Sequence, residues 1–84
     1  MAAKTSSKIQ QYWYTQGWQK GVVFARKEAD YDELAAVSKA GSIPVHWDLY
    51  RAQILQQYMH EKGFDFTSYS KGFANACAEF YKSI

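Results

Sequence analysis

Few residue types in this chain can carry chemistry alone, and their spacing decides what they can do together. The two histidines, His46 and His60, lie fourteen residues apart. On one helix that interval is ~21 Å along the axis, too far for a shared metal ion or a proton relay. His46 stands two residues before Asp48, which is not a facing interval on a helix. His60-Glu61-Lys62 reads as a charged helix end, where a histidine cation complements the dipole. Asp30, Asp32 and Glu33 cluster, but a helix start explains all three, with Asp30 as N-cap and Glu33 as the returning member of a capping box. Asp48 and Arg51 have the i,i+3 interval of a surface ion pair. Cys77 is the one cysteine, which excludes an intrachain disulfide and a thiolate cluster. Its neighbours Ala74, Ala76 and Ala78 mark it as an inert buried thiol. Nucleophile elbow, phosphate-binding glycine loop, His-Glu-x-x-His and Cys-x-x-Cys motifs do not occur. The reading is therefore non-enzymatic, with no catalytic residue, cofactor site or metal site assigned.

The most distinctive pattern is a repeated one. Residues 14–21 read Tyr14-Thr15-Gln16-Gly17-Trp18-Gln19-Lys20-Gly21, and residues 69–76 read Tyr69-Ser70-Lys71-Gly72-Phe73-Ala74-Asn75-Ala76. Each has Tyr, two polar residues, Gly, an aromatic, two more residues, then Gly or Ala. Two glycines inside a helix cost roughly 1 kcal/mol each relative to alanine. That loss is offset where another backbone comes close, and glycines four apart share a face. Gly17, Gly21, Gly72 and Ala76 are therefore expected to form a close helix crossing, with Trp18 and Phe73 beside it. Glycines interior to a helix have no free N–H groups, so they do not cradle phosphate. Over these two stretches alone, Tyr-x-x-Gly-aromatic-x-x-Gly resembles the Gly–aromatic pairs in short helices of ribosome-associated hibernation factors. The strong basic charge of those rRNA binders is missing, and the resemblance assigns no family.

The elements that must position these residues follow from periodicity. Residues 1–5 are expected to be a flexible tail, with 6–84 forming one helical domain. Ser6 or Ser7 is a candidate N-cap for a first helix over about 7–28. Ile9, Trp13, Gly17, Gly21 and Phe24 recur there at helical spacing, and Tyr14, Trp18, Val22 and Ala25 form an adjacent stripe. Two stripes imply a central helix packed on more than one side. A break at 29–30 precedes a short helix over about 31–40, the alternative being one helix continuous with the first, and Gly41 ends it as a left-handed cap. Pro44 suits the first turn of a third helix over about 45–62, with Gly63 as its C-terminal cap. Trp47, Tyr50, Ile54, Tyr58 and Glu61 mark one stripe of it, broadened by Leu55 and Met59. Asp65 or Thr67 caps a fourth helix over about 67–83, whose apolar face is Tyr69, Phe73, Ala76, Cys77, Phe80 and Ile84. No segment alternates at period two. The expected fold is all-α, a small compact bundle of three long helices and one short one.

Composition bounds the function. The 84 residues carry a net charge of +2, too small to argue for nucleic acid alone. The basic residues of the first segment, Lys4, Lys8, Lys20, Arg26 and Lys27, are nevertheless candidate nucleic-acid contacts. The opening residues lack the apolar region of a signal peptide, and no run is long and apolar enough for a membrane span. A cytoplasmic location is expected. Aromatic residues make up 18% of the chain, more than so small a body can enclose. Tyr12, Trp13 and Tyr14 point in three directions on a helix, so at least one faces outward. The surplus Tyr12, Tyr14, Trp18, Tyr31, Trp47 and Tyr50, with Arg51, is a candidate interaction surface of the residue types that dominate interface hot spots. The reading is a small non-catalytic protein-interaction or regulatory module, its partner another protein or a second copy in a homodimer. The alternatives are a nucleic-acid- or ribosome-associated protein using the basic, aromatic first helix, and a small-ligand carrier or enzyme with a pocket between helices.

Overall fold

In a computed structural model, the backbone of residues 2–83 is described, with side chains from Lys8 onward. Four helices follow in order: α1 Ala2–Lys27, α2 Tyr31–Ala40, α3 Asp48–Tyr58 and α4 Phe66–Ser83. No strand occurs among the described residues. The fold is a small all-α bundle, with two long helices and two short ones rather than three long and one short.

α1 begins earlier than the start expected near residue 7. Ala2, Ala3 and Lys4 are strong helix formers, so Ser6 and Ser7 fall inside the helix instead of capping it. Arg26 and Lys27 complement the dipole in its last turn. The break that follows is built by side chains. Asp30 Oδ1 accepts from the Glu33 N–H at 2.8 Å, and Glu33 Oε1 accepts from the Asp30 N–H at 3.0 Å. This capping box starts α2, and Gly41 at φ 70° ends it by donating to the Val37 carbonyl.

The third helix differs most from its sequence reading. Pro44 lies in a turn before the helix, closed by the Trp47 N–H on the Pro44 carbonyl at 3.1 Å. The preceding loop is anchored to α4, because the Ile43 N–H donates to the buried Ser70 hydroxyl at 2.7 Å. α3 stops at Tyr58, short of the end expected near residue 62. Two successive i,i+3 turns, Glu61 N–H to Tyr58 and Phe64 N–H to Glu61, replace the last helical turn, and Gly63 takes a φ of 79° beyond it. The reason is aromatic: turning the chain back stacks Phe64 on Tyr58 at 5.3 Å and sets it edge-on to Trp13 at 4.8 Å. Asp65 then starts α4, accepting from the Ser68 N–H at 3.1 Å.

α1 and α4 form the spine. They run in the same direction, Gly17 lying against Tyr69 and Gly21 against Phe73 and Ala76. Around them the core gathers Trp13 and Phe24 of α1, Leu34 and Val37 of α2, Ile43, Ile54 of α3, and Tyr69, Phe73 and Cys77 of α4.

Candidate functional site

The two repeated stretches interlock. A Cβ added at Gly17 would collide with the Tyr69 carbonyl, and one added at Gly72 would collide with the Tyr14 carbonyl. Each glycine thus meets the tyrosine backbone of the other stretch. Gly21 extends the seam: a Cβ there would lie 2.5 Å from the Phe73 carbonyl oxygen and 2.9 Å from Ala76 Cβ. The glycine hydrogens in these positions point at carbonyl oxygens, the arrangement of weak Cα–H···O contacts between close helices. At the edge of the seam, Asn75 Nδ2 donates to the Tyr14 hydroxyl at 2.7 Å. The ring of Trp18 stacks on Tyr14 at 6.4 Å, whereas Phe73 turns inward to Phe24 at 5.1 Å. Cys77 closes the far side, its thiol weakly donating to the Gly21 carbonyl at 3.9 Å. Burial pushes that thiol up to about 12, which leaves no thiolate for chemistry near neutral pH.

The seven residues read as an interaction surface do not share a face. Tyr12 projects from α1, more than half exposed, with its ring edge against Trp13 at 4.9 Å. Tyr14 and Trp18 are half-buried beside the seam. Tyr31 is exposed at the other end, its hydroxyl 3.3 Å from that of Tyr81, a hydrogen bond that raises its pKa. Trp47 and Tyr50 point inward instead: Phe24 meets them at 5.9 and 5.6 Å, and Tyr50 also meets Phe73 at 5.7 Å. The Tyr50 hydroxyl is buried without a hydrogen-bond partner, and burial with the nearby Glu28 carboxylate raises its pKa. Arg51 forms no ion pair with Asp48. Its guanidinium lies 5.1 Å from the Phe66 ring centre instead, a cation–π contact with the start of α4.

The candidate nucleic-acid contacts also divide. Lys8 and Arg26 are five helical turns apart, ~27 Å along one side of α1, while Lys20 and Lys27 lie ~100–120° around the axis. Lys20 reaches Glu28 at 3.9 Å, an exposed pair. The side chain of Lys4 lies outside the described residues. His46 is exposed and edge-on to Trp47 at 6.4 Å, and His60 is exposed in the turn after α3. Among the described residues no three His, Cys, Asp or Glu side chains group to hold a metal ion. The surface depressions are shallow and open. The one of about 350 Å³ between α1 and the turn after α3 is lined by Lys8, Ile9, Tyr12, Trp13, Glu61 and Lys62.

What the sequence reading missed is the outward side of α3. With Tyr50, Ile54 and Tyr58 turned to the core, the opposite side carries Leu49, Ala52, Gln53, Gln56 and Met59, bordered by Val45, Asp48 and Leu55. Leu49 is 83% exposed, Val45 75% and Met59 65%. Leu55 and Met59, expected to broaden the inward stripe, instead lie on this outer side. A signal was present: the helix is apolar on both sides, which marks an element that a single core does not satisfy. No helix of the described residues is long and apolar enough to cross a membrane. No protein-family model, curated protein or solved structure matches the chain.

Proposed function

We propose that this chain is a small non-catalytic helical module that binds another protein chain through the outward face of α3. One observation carries the reading: Leu49, Ala52, Gln56 and Met59 form the exposed centre of this face, uncharged, with Asp48 and Gln53 at its edges. Depletion of charge with apolar side chains at the centre is the compositional mark of an interface core. Each square ångström of apolar surface that a partner covers is worth roughly 25 cal/mol before the cost of association. The inward side of the same helix is fully used by Tyr50, Ile54 and Tyr58, so the outer residues contribute nothing to the fold by staying in water. The basic side chains of α1, split between two sides, give a nucleic-acid reading less support.

The test is a comparison of the chain with a variant carrying both Leu49→Lys and Met59→Lys, each immobilised and exposed to the same cell extract. The variant is expected to keep its helical circular dichroism and melting temperature, because both positions face solvent. A protein recovered by the native chain and lost with the variant supports the reading once, purified, it binds the native chain and not the variant. Identical recoveries from both chains refute it.

A further inference from the structure

We infer that the outward face of α3 is built to receive a second copy of this chain, packed antiparallel about a two-fold axis beside position 54; this rests on the docking role proposed above. The spacing of the face is nearly palindromic about that position. Under the two-fold, Leu49 meets Met59 of the second copy and Ala52 meets Gln56 of the second copy, each contact occurring twice. In such an isologous contact each group meets the residue equally far from position 54 on the second copy, so the two positions of each pair must complement one another. Leucine and methionine do so by packing, and Gln56 does so by laying its methylene groups over Ala52 while its amide stays within reach of water. A charge at 49, 52, 56 or 59 would be buried against an uncharged side chain of the second copy, and none of the four positions carries one. At the rim Asp48 falls opposite His60 of the second copy, both being six residues from position 54, with the opposite charges of Glu61 and Lys62 in the same turn. Antiparallel packing also sets the positive end of each helix dipole beside the negative end of the other.

The size of the face sets the strength. Eleven residues make a helix ~16 Å long, which covers well under the ~800 Å² per partner of a standard interface. A face of that size suits a weak, transient dimer, with association expected between micromolar and millimolar concentrations.

Sedimentation of the purified full chain between about 10 µM and 1 mM tests this. The weight-average mass is expected to rise toward twice the monomer, and Leu49→Lys is expected to weaken association by about tenfold or more. A strict monomer at the highest concentration overturns the inference, as does association unchanged by Leu49→Lys. The register has its own test. Leu49→Cys and Met59→Cys chains, mixed and oxidised, are expected to form the mixed disulfide in excess over either homodimer. The buried Cys77 does not compete. Homodisulfides through position 49 in excess indicate a parallel pair and overturn the antiparallel register. A strict monomer that still recovers a protein through Leu49 and Met59 removes the second copy and keeps the docking role; one that recovers nothing removes both.

Discussion

α4 and α3 are attached to α1 in opposite ways. α4 meets α1 backbone to backbone, through glycines whose missing side chains let the Tyr14 and Tyr69 carbonyls press into the facing helix. α3 is held off by rings. Trp47, Tyr50 and Tyr58 bridge to Phe24, Phe73 and Trp13, and only Ile54 of its helical residues is fully buried. A glycine seam tolerates almost no added volume, because the atoms in the way belong to the main chain. A ring-mediated attachment tolerates small shifts, because rings tilt and slide at 5–6 Å spacings with little loss. The difference separates a rigid spine from an element that keeps one side free for another contact.

The comparison breaks first at the glycines. Gly17→Ala and Gly72→Ala each gain about 1 kcal/mol of helix propensity, yet both are expected to lower unfolding free energy by about 3 kcal/mol or more, since the helices must separate. Urea unfolding measures this, and a neutral or stabilised Gly17→Ala would mean that the seam is looser than its geometry. Next comes α3. Tyr58→Ala is expected to lose about 2 kcal/mol, with amide hydrogen exchange accelerated in α3 while α4 keeps its protection. Equal acceleration in both helices would show that α3 and the spine open as one unit.

Alkaline pH probes the spine through Cys77. Its thiol is pushed from 9.0 up to about 12 by burial, so between those values the folded chain holds a proton that the unfolded chain releases. Stability is intact below pH 9 and falls above it, by about 1.4 kcal/mol per pH unit from this group alone. Burial also raises the hydroxyls of Tyr69 and Tyr50 from 10.0, so the fall steepens above pH 10. Urea midpoints at successive pH values check the onset, which Cys77→Ala is expected to delay. The smallest effect is a gain. Tyr50→Phe removes a buried hydroxyl with no partner, and is expected to raise stability by about 1 kcal/mol. A loss of that size would mean the hydroxyl is satisfied in solution.

Part of the capping was readable without coordinates, because it is local: Asp30 with Glu33 and Gly41 needed only neighbours within four residues, and Asp65 was one of two candidates. Ser6 and Ser7, by contrast, fall inside α1, and Gly63 beyond the end of α3. The interlocking stretches were readable because a glycine inside a helix has a cost that only a close neighbour offsets. α3 was not. Its periodicity admits two faces, and choosing between Leu49 and Tyr50 requires knowing that Phe24 and Phe73 lie on one side of it. The early stop at Tyr58 was hidden for the same reason, since it depends on Phe64 finding Trp13. Arg51 was assigned to the wrong partner because an i,i+3 carboxylate is visible in sequence and the ring of Phe66 beneath the guanidinium is not.

Because α1 and α4 run in the same direction, no short hairpin can join them; α2, α3 and their loops together form the crossover. Gly17 and Tyr69 are fifty-two residues apart. Closing a loop of that length costs roughly 2 kcal/mol more than closing one of five residues. That entropy must be spent before the seam returns any energy, so this bundle is expected to refold more slowly than an up-and-down bundle of the same size. Its rate-limiting encounter is the meeting of its first helix with its last.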